Sequence, residues 1–176
     1  MTTLWLLPVV TLIVASSSGG VLGPAIQAYS SLHFFQTFLV SVFMVTVGFT
    51  LTLMILTVYL MRLILHGLPP ATRVLSVFLP IGPTSQTGFA ILLIGRNFPK
   101  LLPFSSSKLL NDATTGPIVE VVCTCGSFLL WSLATMWMLY ALLAVYSGVR
   151  QSKIAFKVSF WGLVFPNVST SSSIVN

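Results

Sequence analysis

The chain has 176 residues, of which 56% are apolar and only 6% are charged, and its mean hydropathy is +1.01. Water-soluble domains carry about 25% charged residues, so this composition excludes a soluble fold and predicts a protein that crosses the membrane several times. The net charge of +6 comes from basic residues scattered near predicted helix ends, a distribution that argues against a nucleic-acid partner.

The first predicted span covers residues 4–26 and has a weakened, polar centre. Pro8 lies near its start, and the run SSSGG at 16–20 falls at mid-membrane depth. The span has no basic lead-in and no clear small-residue cleavage site, so we interpret it as a membrane span rather than a signal peptide. The second predicted span, 34–65, has no proline and one glycine, Gly48, and we expect a regular scaffold helix there.

The third predicted span, 74–95, reads VLSVFLPIGPTSQTGFAILLIG. Pro80 and Pro83 each lack a backbone donor, and four polar residues follow them at 84–87. In hydrocarbon, freed backbone groups must find partners in protein or in a water-filled cavity. The pattern therefore predicts a broken helix that lines a pore or substrate pathway. The alternative is a helix in a tight bundle, whose small residues serve close packing.

The fourth predicted span, 117–146, is free of proline after its first position, whereas the fifth, 158–176, carries Pro166 beside a run of hydroxyl residues. The fifth span is barely long enough for a crossing, so the sequence predicts a chain that is cut short. Spans one, three and five thus carry proline, glycine and clustered hydroxyls, and spans two and four do not. Consecutive spans joined by short links form antiparallel hairpins. We therefore predict an all-α membrane protein with kinked inner helices around a path and smooth outer helices.

Cysteine spacing and loop charge give two further expectations. Cys123 and Cys125 point to different faces of a helix, so no disulfide between them is expected, and too few ligands surround them for a metal site. No cofactor is predicted. Five basic residues lie at the end of span two or in the links that follow spans two and four, against three in the link between spans three and four. By the positive-inside rule, this count places the N-terminus in the cytoplasm.

Three stretches carry a resemblance to a known family. They are WLLPVVTLIVASSSGG at 5–20, FLPIGPTSQTGFAILLIG at 78–95 and FWGLVFPNV at 160–168. They resemble the fungal sulfite efflux pumps of the tellurite-resistance/dicarboxylate transporter family, which also includes the plant slow-type anion channels. The resemblance covers essentially the whole chain. It implies a fold of ten helices in five hairpins, of which this chain matches the fifth to the ninth, so the chain would be a fragment from the C-terminal half.

The resemblance also implies an assembly and a gate. Family members of known structure are trimers with one pore per protomer, which implies a homotrimer here. A phenylalanine on the ninth helix gates the pore in the family's anion channels, and Phe165 is the residue at the matching position. A packing role is the alternative for this aromatic side chain.

The candidate pore-lining residues lie on the first and third spans; they are Ser17, Gly19, Gly82, Thr84, Gln86 and Gly88. Helix kinks are expected at Pro8, Pro80, Pro83 and Pro166. Each pore-lining assignment has an alternative in simple packing. The Gln86 amide could bond a neighbouring helix instead of an anion, serine and threonine often satisfy carbonyls of their own helix, and glycines allow helices to approach closely.

These features favour transport of an anion, and the resemblance implies, more specifically, sulfite efflux across the plasma membrane. Hydroxyls, amides and helix dipoles along a neutral path would lower the barrier for an anion. A C4-dicarboxylate such as malate, or another anion, is the alternative within the same family. A truncated membrane fragment without transport activity is a hypothesis of a different class. An intramembrane enzyme has little support, because the spans offer no paired acids, His/Cys arrangement or metal cluster.

Overall fold

A computed structural model describes residues 6–66, 78–104 and 114–151, and every regular element within these ranges is helical. The helices are α1 (Leu6–Tyr29), α2 (Ser31–His66), α3 (Ile81–Asn97) and α4 (Thr115–Gln151), and a 3-10 segment (Phe98–Phe104) follows α3. The all-α fold predicted from composition and pattern is confirmed. The predicted fifth span, with Phe165 and Pro166, lies outside the described residues.

Three of the four helices are long and apolar enough to cross a membrane, over Pro8–Tyr29, Ser31–Leu65 and Thr115–Tyr146. The chain is therefore a multi-pass membrane protein. Helix α2 has 36 residues and extends about 54 Å at 1.5 Å per residue, well beyond the hydrocarbon layer of about 30 Å. Helix α3 has 17 residues and extends only about 26 Å.

The helices pair as two antiparallel hairpins, α1 with α2 and α3 with α4. Ser30 alone separates α1 from α2, and its N–H donates to the Ile26 carbonyl at 2.9 Å. The hairpins meet where α1 packs against α3, so the two helices that carry most of the clustered hydroxyls and glycines lie side by side. The outer helices expose large apolar side chains such as Phe43 and Leu129, as expected for helices that face lipid.

The largest apolar core lies at the end of the bundle where α1 and α3 begin and α2 and α4 end. Leu6, Leu56 and Ile81 from three helices meet Trp137 of α4 there. The Trp137 ring is 2% exposed and lies 5.8 Å, between ring centroids, from the ring of Tyr59. This core holds the start of α3 in contact with all three other helices.

The prolines lie differently in the helices from what the sequence predicts. Pro80 is the N-cap residue of α3 and Pro83 lies in its first turn, and Pro8 lies in the first turn of α1. The first N–H groups of a helix have no intrahelical acceptor, so proline there removes no bond and begins the helix rather than breaking it. The proline inside a helix is Pro24 of α1, which the sequence-based prediction passed over.

Candidate functional site

The polar residues at 84–87 lie within the first two turns of α3, and all four are buried. The hydroxyls of Thr84, Ser85 and Thr87 donate to carbonyls three or four residues earlier in α3, at distances between 2.6 and 3.2 Å. Such back-bonding satisfies hydroxyls within their own helix. These three side chains are therefore buried with their hydroxyl donors already bonded to backbone carbonyls.

Gln86 differs from its neighbours because its side chain crosses to another helix. Its Nε2 donates to the Ser17 Oγ of α1 at 2.7 Å, and that hydroxyl in turn donates to the Val14 carbonyl at 2.9 Å. Gln86 is 9% exposed and Ser17 is 4% exposed. An uncharged amide–hydroxyl pair thus joins the middle of α1 to the second turn of α3, and the amide keeps a second N–H that can donate.

The predicted pore-lining glycines lie at helix–helix contacts. A Cβ atom added to Gly88 would lie 3.4 Å from the Ser127 carbonyl oxygen of α4, and the Ser127 hydroxyl donates to the Gly88 carbonyl at 2.9 Å. A Cβ atom at Gly19 would collide with the Ser41 Oγ of α2. Gly82 is buried in the first turn of α3. At Gly19 and Gly88 the missing side chain permits close approach between helices.

The outward face of α1 carries small and hydroxyl side chains that are not among the predicted pore-lining residues. Thr11, Ala15 and Ser18 are exposed there, at the three- and four-residue spacing that places them on one helix face. Ser18 rather than Ser17 thus faces outward from the described helices, and its hydroxyl donates to the Val14 carbonyl at 3.0 Å. Helical periodicity groups Thr11, Ala15 and Ser18 on one face, but only the structure shows that this face is exposed.

A second polar contact joins α1 and α3 at the other end of the bundle. The Asn97 Nδ2 donates to the Gly20 carbonyl at 2.8 Å, and the Lys100 ammonium donates to the Asn97 Oδ1 at 3.3 Å. The prediction missed Asn97 because it placed the end of the third span at Gly95. A cavity of about 10 Å³ lies beside Asn97 between α1, α2 and α3, which is room for about one water molecule and too little for a polyatomic anion.

Comparison with known proteins decides the family of this all-α membrane chain. The model of the family described as SLAC1, voltage-dependent anion channel, matches residues 1–176. The chain belongs to this family. The resemblance inferred from the three sequence stretches is thereby confirmed, and no solved structure matches the chain.

Relatives of this voltage-dependent anion channel family member include fungal and archaeal proteins. A sulfite efflux pump of Arthroderma otae is 33% identical over 173 residues, which are 94% of this chain and 42% of that protein. A sulfite efflux pump of Candida albicans is 28% identical over 96% of this chain and 36% of its own length. An uncharacterized transporter of Methanocaldococcus jannaschii is 25% identical over 92% of this chain. The chain therefore spans less than half the length of these fungal relatives.

Proposed function

We propose that this chain belongs to a protein that moves sulfite, or a closely related small anion, out of the cell. The observation that carries the proposal is the match of the voltage-dependent anion channel family to the whole chain. Sulfite, rather than a dicarboxylate such as malate, is the first choice because the relatives with 33% identity are named sulfite efflux pumps. We assign the transport to the plasma membrane as part of the same proposal.

The chemistry of the α1–α3 contact supports passage of an anion. The Gln86–Ser17 pair is polar and uncharged, and Glu120, near the start of α4, is the only acidic residue of the described ranges. A path without fixed negative charge does not repel an anion, and amide and hydroxyl donors offset part of the desolvation cost by replacing its hydration shell. In the proposed path, Gln86 and Thr84 lie just behind the residues that face the anion.

The packing of the described helices indicates which helix face could border the path. The described helices fill the space around residues 81–88, whereas Thr11, Ala15 and Ser18 of α1 face outward. We propose that the outward face of α1 borders the path in the longer protein, and that Ser17 and Gln86 hold α1 in place behind it. Phe165 is proposed as the gate, and a homotrimer as the assembly.

Reconstitution tests the proposal. The chain alone, the chain extended to the full length of a sulfite efflux pump, and the Arthroderma otae pump as a positive control are placed in liposomes, and efflux of sulfite, chloride and malate is measured. Sulfite efflux from the extended protein above that of empty liposomes is the expected result. Efflux of malate without efflux of sulfite would refute sulfite as the substrate. The absence of efflux for all three anions would refute anion transport as the function.

Substitutions in the extended protein test the proposed residues. Gln86→Leu together with Thr84→Val should lower sulfite flux at equal surface expression, because the two changes remove polar groups that position α1 and α3 behind the path. Ser127→Ala is the matched control, since it removes a buried hydrogen bond between α3 and α4 away from α1. Phe165→Ala should raise flux by removing the gate. Equal flux in all variants would refute the assignment of these residues to the path.

A further inference from the structure

Pro24 leaves a gap in the hydrogen-bond ladder of α1. In an α-helix the N–H of residue i donates to the carbonyl of residue i−4, so the Gly20 carbonyl would receive its bond from residue 24. Proline has no N–H, and Pro24 lies inside α1. Gly20 is itself buried, and a buried carbonyl without a donor is destabilising, most of all in a membrane where water does not reach it.

Asn97 of α3 supplies a donor to that carbonyl. Its Nδ2 lies 2.8 Å from the Gly20 oxygen, and the Asn97 side chain is only 4% exposed. The Lys100 ammonium donates to the Asn97 Oδ1 at 3.3 Å. Because the amide oxygen accepts from Lys100, the amide nitrogen is the atom turned toward α1. The two bonds together fix the orientation of the Asn97 amide.

Small residues on α1 make this contact sterically possible. A Cβ atom on Gly20 would lie 2.9 Å from the Leu93 Cβ of α3, and one on Gly23 would lie 3.3 Å from the Asn97 Nδ2. Carbon atoms without a bond between them pack best at about 3.5–4.0 Å, so a side chain at position 20 would push α1 and α3 apart. The glycines therefore allow the amide to reach the backbone of α1.

We propose that Asn97 is a positioning residue that replaces the hydrogen-bond donor removed by Pro24, and so fixes the C-terminal part of α1 against the end of α3. Pro24 on α1 leaves the Gly20 carbonyl without its helical donor, and Asn97 on α3 provides the replacement. Its effect on anion flux rests on the proposed function, because these two helices would then set the width of the path at this end. The hydrogen bond itself is independent of what the protein transports.

A double-mutant cycle on the whole chain in detergent micelles tests the dependence of Asn97 on Pro24. Asn97→Leu keeps a branched side chain but removes both polar atoms, and it should lower the folding equilibrium constant about three- to twenty-fold, the range measured for interhelical hydrogen bonds in membranes. Pro24→Ala restores the N–H of residue 24. In that background Asn97→Leu should change the constant less than about two-fold. Equal losses in both backgrounds would overturn the proposal.

Isotope-edited infrared spectroscopy of the Gly20 carbonyl gives a readout that general destabilisation does not move. Loss of its hydrogen bond in Asn97→Leu should raise the amide I frequency of that carbonyl, and Pro24→Ala should restore it. Lys100→Met leaves the amide in place, and this milder variant should shift the frequency partway even if Asn97→Leu fails to fold. A Gly20 frequency unchanged by every variant that folds would overturn the proposal, whether or not the protein transports sulfite.

Discussion

Replacement of Gly95 by alanine should destabilise the α3–α4 hairpin, because no space exists for a methyl group at this position. A Cβ atom on Gly95 would lie 2.6 Å from the Cys123 Cβ and 3.7 Å from the Glu120 Cα. A Cβ atom cannot rotate away, since it is fixed by the backbone. The helices would have to separate by about 1 Å to restore an ordinary carbon–carbon contact.

Two opposing effects set the size of the change. Overpacking of this kind costs about 1–3 kcal/mol, whereas replacement of glycine by alanine in a helix stabilises it by about 1 kcal/mol. Gly126 of α4 is the matched control, because a Cβ atom there would meet nothing within 4 Å. Gly126→Ala should therefore stabilise the protein, and the two variants should differ by about 2 kcal/mol in free energy of unfolding.

Thermal unfolding of the purified chain in detergent measures this difference. For a chain of this length, 2 kcal/mol corresponds to about 4–8 °C between the melting temperatures of Gly95→Ala and Gly126→Ala. Cys123→Gly removes the colliding atom and should recover part of the loss in Gly95→Ala. Equal melting temperatures for the two alanine variants would refute close contact between α3 and α4 at Gly95.

Three further predictions concern the core, the central polar pair and the topology. Trp137→Ala should lower the free energy of unfolding by about 3–5 kcal/mol because the ring is buried, whereas Phe43→Ala, at a side chain 66% exposed, should lower it much less in micelles. Chemical denaturation measures both losses, and equal losses would contradict the assignment of Trp137 to the core. Gln86→Leu and Ser17→Ala should each lower stability by about 0.6 kcal/mol, and the double variant should be no worse than either alone; additive losses would exclude a direct bond. A cysteine at Tyr29, in a background without the native cysteines, should react with a membrane-impermeant reagent added outside intact cells, and reaction only after lysis would reverse the predicted orientation.

The class of fold follows directly from the sequence, because long apolar runs separated by short polar links leave few alternatives to a helical membrane protein. Helix starts are harder to predict. Pro80 and Pro83 predict a break within the third span, yet in the structure they lie at its N-cap and first turn. Proline suits both situations chemically, and only the packing of Phe78 and Ile81 into the terminal core places the helix start there.

The sequence does not predict which side chains of α1 face α3. Ser17 and Ser18 are adjacent and chemically alike, but the first bonds Gln86 and the second is exposed. Which of them faces a neighbour depends on the rotation of α1 against α3, and the three consecutive serines leave that rotation undetermined. The bond between Asn97 and Gly20 joins residues 77 positions apart, so no local pattern reveals it.

The single-residue link between α1 and α2 has a consequence for how the chain enters the bilayer. Ser30 alone links the antiparallel helices α1 and α2, an arrangement that favours insertion of the two as a pair. The start of α1 and the end of α2 then always lie on the same side. Under the predicted orientation, Arg62, in the last turns of α2, lies on the cytoplasmic side together with the start of α1.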